Sequence, residues 1–304
     1  MKINMKKIVM ILLAIAILGY TVGFITLYFT GFNIKAIDKK DYKFDQTKTV
    51  SISSINDINI NTDFSEINLI PQSSDTVKAH LYGDVPANTK FEINTDGSTL
   101  TISENNKSNF WNDNNNNNYS GNLTLDVYLP VLYTKNISVN DSSGDLNLNG
   151  FNFNDLSCKL SFGKTTIKNV NANSFQYENS SGDLDANSLH TKTSKMTSSF
   201  GQIKALDFTG DLTSHNSSGD TEVQFQVFNN MVDINSSFGK VQLSLPQNAQ
   251  FKLDAEASFG NINCDFPIKL DGSKTQNQLK GIVGNDKNNI TIRDSSGDIN
   301  VSSN

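Results

Sequence analysis

Three histidines, two cysteines and one arginine are the side chains of this 304-residue chain best suited to proton transfer, nucleophilic attack or metal ligation. His80, His190 and His215 are far apart, and none belongs to a zinc-ligand spacing. Serines abound, yet there is no Gly-X-Ser-X-Gly elbow and no Ser or Cys with a partner His placed by a repeat. A polysaccharide lyase or glycosidase would need clustered carboxylates or a basic residue on one face, with long loops around a cleft. Arg293 is the sole arginine, and the only large insertion is Asn-rich. The reading is therefore of a chain with no catalytic residue, no cofactor and no metal.

Two sets of side chains do recur at regular spacing. Asp145, Asp183, Asp220 and Asp298 follow glycines, as calcium ligands of repeat-in-toxin rolls do, but those rolls need an Asp in every turn. Here Lys164 and Lys240 fall where the ion would sit. Phe162, Phe200 and Phe238 precede glycines and form a candidate ladder for stacking on a cell-wall glycan.

The element that positions both sets is a short repeated phrase. Its glycines are Gly144, Gly163, Gly182, Gly201, Gly219, Gly239 and Gly260, then Gly297 after a gap of two periods, a spacing of 18 to 21 residues. Such a period means stacked supersecondary units. Aliphatics stand two and four places after most of these glycines, as in Leu146 and Leu148 or Val241 and Leu243, which marks a half-buried strand. A second alternating patch, as in Phe251-Lys252-Leu253-Asp254-Ala255, makes two strands and two bends per unit, with Gly at one bend. Successive units give an all-β fold, a parallel β-solenoid or β-helix of 18 to 21 residues per rung.

The units alternate. The residue before glycine runs Ser143, Phe162, Ser181, Phe200, Ser218, Phe238, Phe259, Ser296, and the residue after it runs Asp145, Lys164, Asp183, Gln202, Asp220, Lys240, Asn261, Asp298. Stacked aspartates about 4.8 Å apart would repel by roughly 0.9 kcal/mol, whereas Asp beside Lys or Gln attracts weakly. That structural account suffices by itself for the pattern. Counting fourteen residues on from its glycine puts His215 in the buried column of Cys158, Tyr177, Met196 and Leu253, as a packed histidine. Cys158 and Cys264 fall in different columns about five rungs, on the order of 25 Å, apart, too far for a disulfide.

Residues 131–304 form the regular repeats. Residues 49–130 read as divergent rungs of the same kind, with an Asn-rich loop over 105–120 carrying Phe110 and Trp111. Gly281 to Gly284 reads as an irregular rung, and Asp298 to Asn304 as a final strand with an edge open to another chain.

Ahead of the repeats, Ile8 to Phe32 carries no charge, enough for a helix of about 20 residues across a bilayer. A cleaved signal peptide would have a shorter apolar core. The expectation is a cytoplasmic N-terminus over 1–7 holding Lys2, Lys6 and Lys7, a transmembrane anchor over 8–30, a stalk over 31–48 and an extracellular C-terminal domain. Net charge is −6 and pI about 5.1, so no basic footprint for nucleic acid exists.

The phrases Asn140-Asp141-Ser142-Ser143-Gly144-Asp145-Leu146, Ser198-Ser199-Phe200-Gly201-Gln202-Ile203 and Thr291 to Ile299 resemble the "putative adhesin" β-strand-repeat family, a domain of unknown function. The resemblance covers residues 50–304. It implies a membrane-anchored surface protein associated with envelope-stress systems of Gram-positive bacteria, and it transfers no catalytic residue. Two functions follow from it: adhesin-like binding of the cell wall or another surface, and scaffolding of envelope membrane partners.

Overall fold

A computed structural model of the chain describes residues 42–85, 89–106, 122–271 and 275–304. The expected anchor, the first part of the stalk and most of the Asn-rich loop, Phe110 and Trp111 included, lie outside the described residues. Residues 41–304 form one compact unit with its own core.

Each rung rises through a first ladder, turns at its glycine and runs out along a second ladder. It then bends back into the first ladder one level on. Leu146–Phe162, Thr165–Ser181 and Leu184–Phe200 are 17-residue strands that span both ladders and pair in parallel, residue against equivalent residue. Period-two alternation sends Leu146, Leu148, Leu156, Cys158 and Leu160 inward between the ladders, and the same columns recur on every level. The bend between ladders holds a second column, Gly150, Asn169, Ser188 and Asp207, all at φ between 50° and 79°. Asn and Asp tolerate this left-handed region because their short side chains bond locally. Those bonds run level to level, from Asn169 Nδ2 to Asn149 Oδ1 at 3.0 Å and from Ser188 Oγ to Asp207 Oδ2 at 2.7 Å.

The levels do not follow chain order at the ends, which corrects the expectation of rungs stacked in sequence. Asp57–Thr62 lies between Thr99–Asn106 and Asn136–Ser143, so the first rung in sequence is the second in space. At the other end Asn289–Ser296 pairs with both Val232–Phe238 and Phe251–Phe259. Ile299–Ser303 likewise sits between Val241–Leu245 and Ile262–Cys264. The Gly297 rung is thus inserted between those of Gly239 and Gly260. The last strand is paired on both sides over Ile299–Val301, and Ile299 and Val301 are buried. Placing the chain end inside the stack satisfies its backbone on both sides, and Asn304 fixes it by donating from Nδ2 to the Phe225 carbonyl at 2.6 Å.

Antiparallel strands close both ends, another departure from an all-parallel coil. Thr89–Asp96 pairs with Thr99–Asn106, and Gln278–Val283 with Phe251–Phe259, so the segment read as an irregular rung is a capping strand. Tyr42–Ser51 pairs with Thr76–Val85, so the stalk expected to reach residue 48 is sheet from Tyr42 onward. In the C-terminal half the core is aromatic: Phe208, Phe225, Phe228, Phe251 and Phe266 meet edge to face at centroid distances of 5.1 to 6.3 Å.

Candidate functional site

The glycine turns stack into one continuous ridge. A Cβ built on Gly163 would lie 1.9 Å from the Gly144 carbonyl oxygen, and the same contact links 182 to 163, 201 to 182, 219 to 201, 239 to 219, 297 to 239 and 260 to 297. Gly144 meets Ser65 in the same way, so the glycine-free turn Asp63-Phe64-Ser65 belongs to the column. Glycine is required there because adjacent backbones approach too closely for any side chain, and at Gly163 φ is also +119°.

In spatial order the residue before the turn runs Phe64, Ser143, Phe162, Ser181, Phe200, Ser218, Phe238, Ser296, Phe259, since register pairs Phe238 and Phe259 with Ser296 on either side. The alternation that broke after Phe238 in the sequence is unbroken in the fold. Five phenylalanines therefore stand on every second level, and they are 45% (Phe64), 58% (Phe162), 63% (Phe200), 62% (Phe238) and 79% (Phe259) exposed. With levels about 4.8 Å apart, the rings repeat about every 9.6 Å. Phe259 escaped the linear reading because chain order put it beside Phe238, and Phe64 because its turn lacks glycine. The one available signal was the Thr62-Asp63-Phe64-Ser65-Glu66 echo of the later phrase.

The aspartates after the turn have a use the ion-pair account missed. Asp145 Oδ1 accepts the backbone N–H of Lys164 at 2.8 Å, Asp183 that of Gln202 at 2.8 Å, Asp220 that of Lys240 at 2.8 Å and Asp298 that of Asn261 at 2.9 Å. Each Ser-Gly-Asp turn so satisfies an N–H of the neighbouring Phe-Gly turn, which explains why Asp need occur only on alternate levels. Lys164 Nζ reaches Asp185 at 3.2 Å, a residue of the outer face.

Beneath the ridge the Ser-type turns bury a polar residue three places before glycine: Asp141, Asn179, Asn216 and Asp294. Asn179 Nδ2 donates to the Gly163 carbonyl at 2.9 Å and Asn216 Nδ2 to that of Gly201 at 3.1 Å. Asp141 has no such donor. Its Oδ1 accepts from Thr62 Oγ1 at 2.6 Å, its Oδ2 is unpaired, and burial, aided by the Glu104 charge, pushes its carboxyl up to about 7. Burial and then Asp298 raise Asp294 too. Glu104, raised by burial, accepts from the N–H groups of Asp63 at 2.9 Å and Phe64 at 3.3 Å and so caps the glycine-free turn.

The three histidines stay apart. His80 lies 2.8 Å from Asp45, and His190 bonds Thr209 at 3.2 Å. His215 is exposed, contrary to expectation: the register slips between His190 and Thr193, so Ser214, not His215, pairs with Met196 and enters the core. It borders a hollow of about 380 Å³ with Asn235, Glu256 and Arg293. Arg293 is held by Asp254 at 3.1 Å. Among the described residues no three His, Cys, Asp or Glu side chains converge as metal ligands would. Cys158 is buried and Cys264 half-buried, and no disulfide joins them.

The family profile described as Toastrack DUF4097 matches residues 55–302. None of the curated proteins matches the chain. Among solved structures it is similar to a "putative cell adhesion protein" from Clostridium sporogenes, at 14% identity and TM-score 0.30 over 86% of this chain and 100% of that one. It is also similar to a "putative adhesin" from Bacteroides fragilis, at 10% identity and TM-score 0.41 over 86% and 98% of the two chains. A third similarity is to a "putative adhesin" from Parabacteroides distasonis, at 11% identity and TM-score 0.42 over 84% and 97%.

Proposed function

The chain belongs to the Toastrack DUF4097 family, and from that premise and its exposed ridge we propose a non-enzymatic surface protein of the cell envelope that works by adhesin-like contact. A single membrane span over residues 8–30, with the N-terminus in the cytoplasm, holds the β domain outside the membrane; the charge-free run from Ile8 to Phe32 behind Lys2, Lys6 and Lys7 supports this. The observation that carries the reading is the ridge itself. Folding alone would bury aromatic rings, yet this fold leaves five in water at a fixed repeat while filling its core with other phenylalanines.

A face of flat rings repeating about every 9.6 Å suits stacking on the sugars of a wall glycan, one disaccharide to two levels. The test is co-sedimentation of residues 43–304 with purified cell-wall sacculi, with and without teichoic acid. Saturable binding that weakens when Phe162, Phe200 and Phe238 become Ser is the expected result. No binding at micromolar protein refutes attachment to the wall.

A further inference from the structure

Relief and charge alternate together along the ridge. From Ser143 to Phe259 the Phe turns project and the Ser turns recede, and after the glycine the projecting turns carry Lys164, Gln202, Lys240 and Asn261 while the receding ones carry Asp145, Asp183, Asp220 and Asp298; the Phe64 turn at the end of the series carries Glu66 instead. The Asp-to-backbone bond accounts for Asp on the receding turns. The donor there is the backbone N–H that any residue but Pro supplies, and although Lys164 also reaches Asp185 and Asn261 also donates to Asp298, the side chains of Gln202 and Lys240 bond nothing else among the described residues. A surface of this kind is complementary to a copy of itself moved by one level.

We infer that the ridge is the contact between two copies of this chain, antiparallel about a two-fold axis crossing it between the Phe200 and Ser218 turns. This rests on the reading of the ridge as the contact surface and names what meets it. Phe200 then seats against the partner's Ser218, Phe162 against the partner's Ser296, Phe238 against the partner's Ser181 and Phe259 against the partner's Ser143. In the same register Lys164 faces the partner's Asp298, Lys240 the partner's Asp183 and Gln202 the partner's Asp220. Shifting the axis to lie between Ser181 and Phe200 sets Glu66 against the partner's Asp298. An axis through any level sets Phe on Phe and Asp on Asp. Of the registers that oppose no like charges, the first pairs the most levels, from the Ser143 turn to the Phe259 turn, and the contact is isologous, as most dimer interfaces are.

Sedimentation velocity on residues 41–304, which form a compact unit of their own, tests the association. A dimer at micromolar concentration is expected, weakened at least about tenfold in affinity for each of Phe162, Phe200 and Phe238 changed to Ser. The register is tested separately with all phenylalanines in place, using Ser218→Cys or Ser143→Cys in a Cys264→Ser background that leaves only buried Cys158. A short bismaleimide should link the first variant into covalent dimers, its two thiols lying one level apart along the ridge. The second should not be linked, since its thiols stand seven levels, about 34 Å, apart. A monomer at high micromolar concentration, a dimer indifferent to the phenylalanines, or equal cross-linking of both variants overturns the inference. Sacculus binding by a protein that stays monomeric sinks this inference alone; a dimer that ignores sacculi sinks the wall reading alone.

Discussion

Asp141→Asn should stabilise the protein at pH 8 and remove part of its pH dependence. Asn179 and Asn216, its equivalents two and four levels on, place an Nδ2 donor against the neighbouring glycine carbonyl. Asp141 Oδ2 takes that place with no partner: it lies 3.0 Å from the point where a Gly144 Cβ would stand, and the Ser65 carbonyl lies 2.1 Å from the same point. Two acceptors therefore crowd one another unless the carboxyl carries its proton, which agrees with a group titrating at about 7 in the fold. In the unfolded chain an Asp titrates near 3.9, so the folded value is raised. Its contribution is complete below about pH 4 and is lost as pH rises through 7. At about 1.4 kcal/mol for each of roughly three pH units, the wild type loses up to about 4 kcal/mol between pH 4 and pH 8. The nearby Glu104 charge is part of that shift, so the Asn variant should recover about half or more. The assay is urea denaturation of residues 43–304 at intervals from pH 5 to 8.5. A variant less stable than wild type at pH 8, or one with an unchanged pH slope, would refute the reasoning. Adding Asp294→Asn, whose Oδ2 is likewise unpaired and whose carboxyl is also raised, should flatten the profile further.

Gly201→Ala would place its Cβ 2.1 Å from the Gly182 carbonyl at φ +137°, and should cost more than about 3 kcal/mol by denaturant titration. Asp183→Ala removes the acceptor of the Gln202 N–H and should cost about 1 to 2 kcal/mol, while Asp183→Asn, which keeps an acceptor, should cost less. Deleting residues 299–304 withdraws a strand paired on both sides and should prevent cooperative unfolding, whereas an edge strand would be dispensable. His215→Ala should change the melting free energy by less than about 0.5 kcal/mol, because its side chain lies on the outer face.

The ridge residues were readable because the glycine, the Phe or Ser before it and the Asp or Lys after it are neighbours in the chain, and period-two alternation fixes which side chains are buried. The all-β class, the two strands and two bends per unit, and Phe162, Phe200 and Phe238 on a common edge follow from that local grammar. His215 shows where it fails. The unit from Gly201 to Gly219 is one residue short, the loss falls in the bend beside Gly210, and every side chain after it faces the other way when counted from Gly201. Counted back from Gly219, Ser214 takes the core place that Met196 takes before Gly201, because that strand belongs to the turn ahead of it.

What the sequence determined alone is therefore the level: its strands, its glycine and its alternating partners. What only the tertiary structure decided is the order of levels at the two ends, and with it the uninterrupted series from Phe64 to Phe259. Neighbouring rungs carry nearly equivalent edges, so local pattern does not distinguish a stack in chain order from one with its terminal rungs exchanged. That choice is made by which unpaired backbone edges are closed, through antiparallel caps and a buried C-terminal strand contributed from distant parts of the chain.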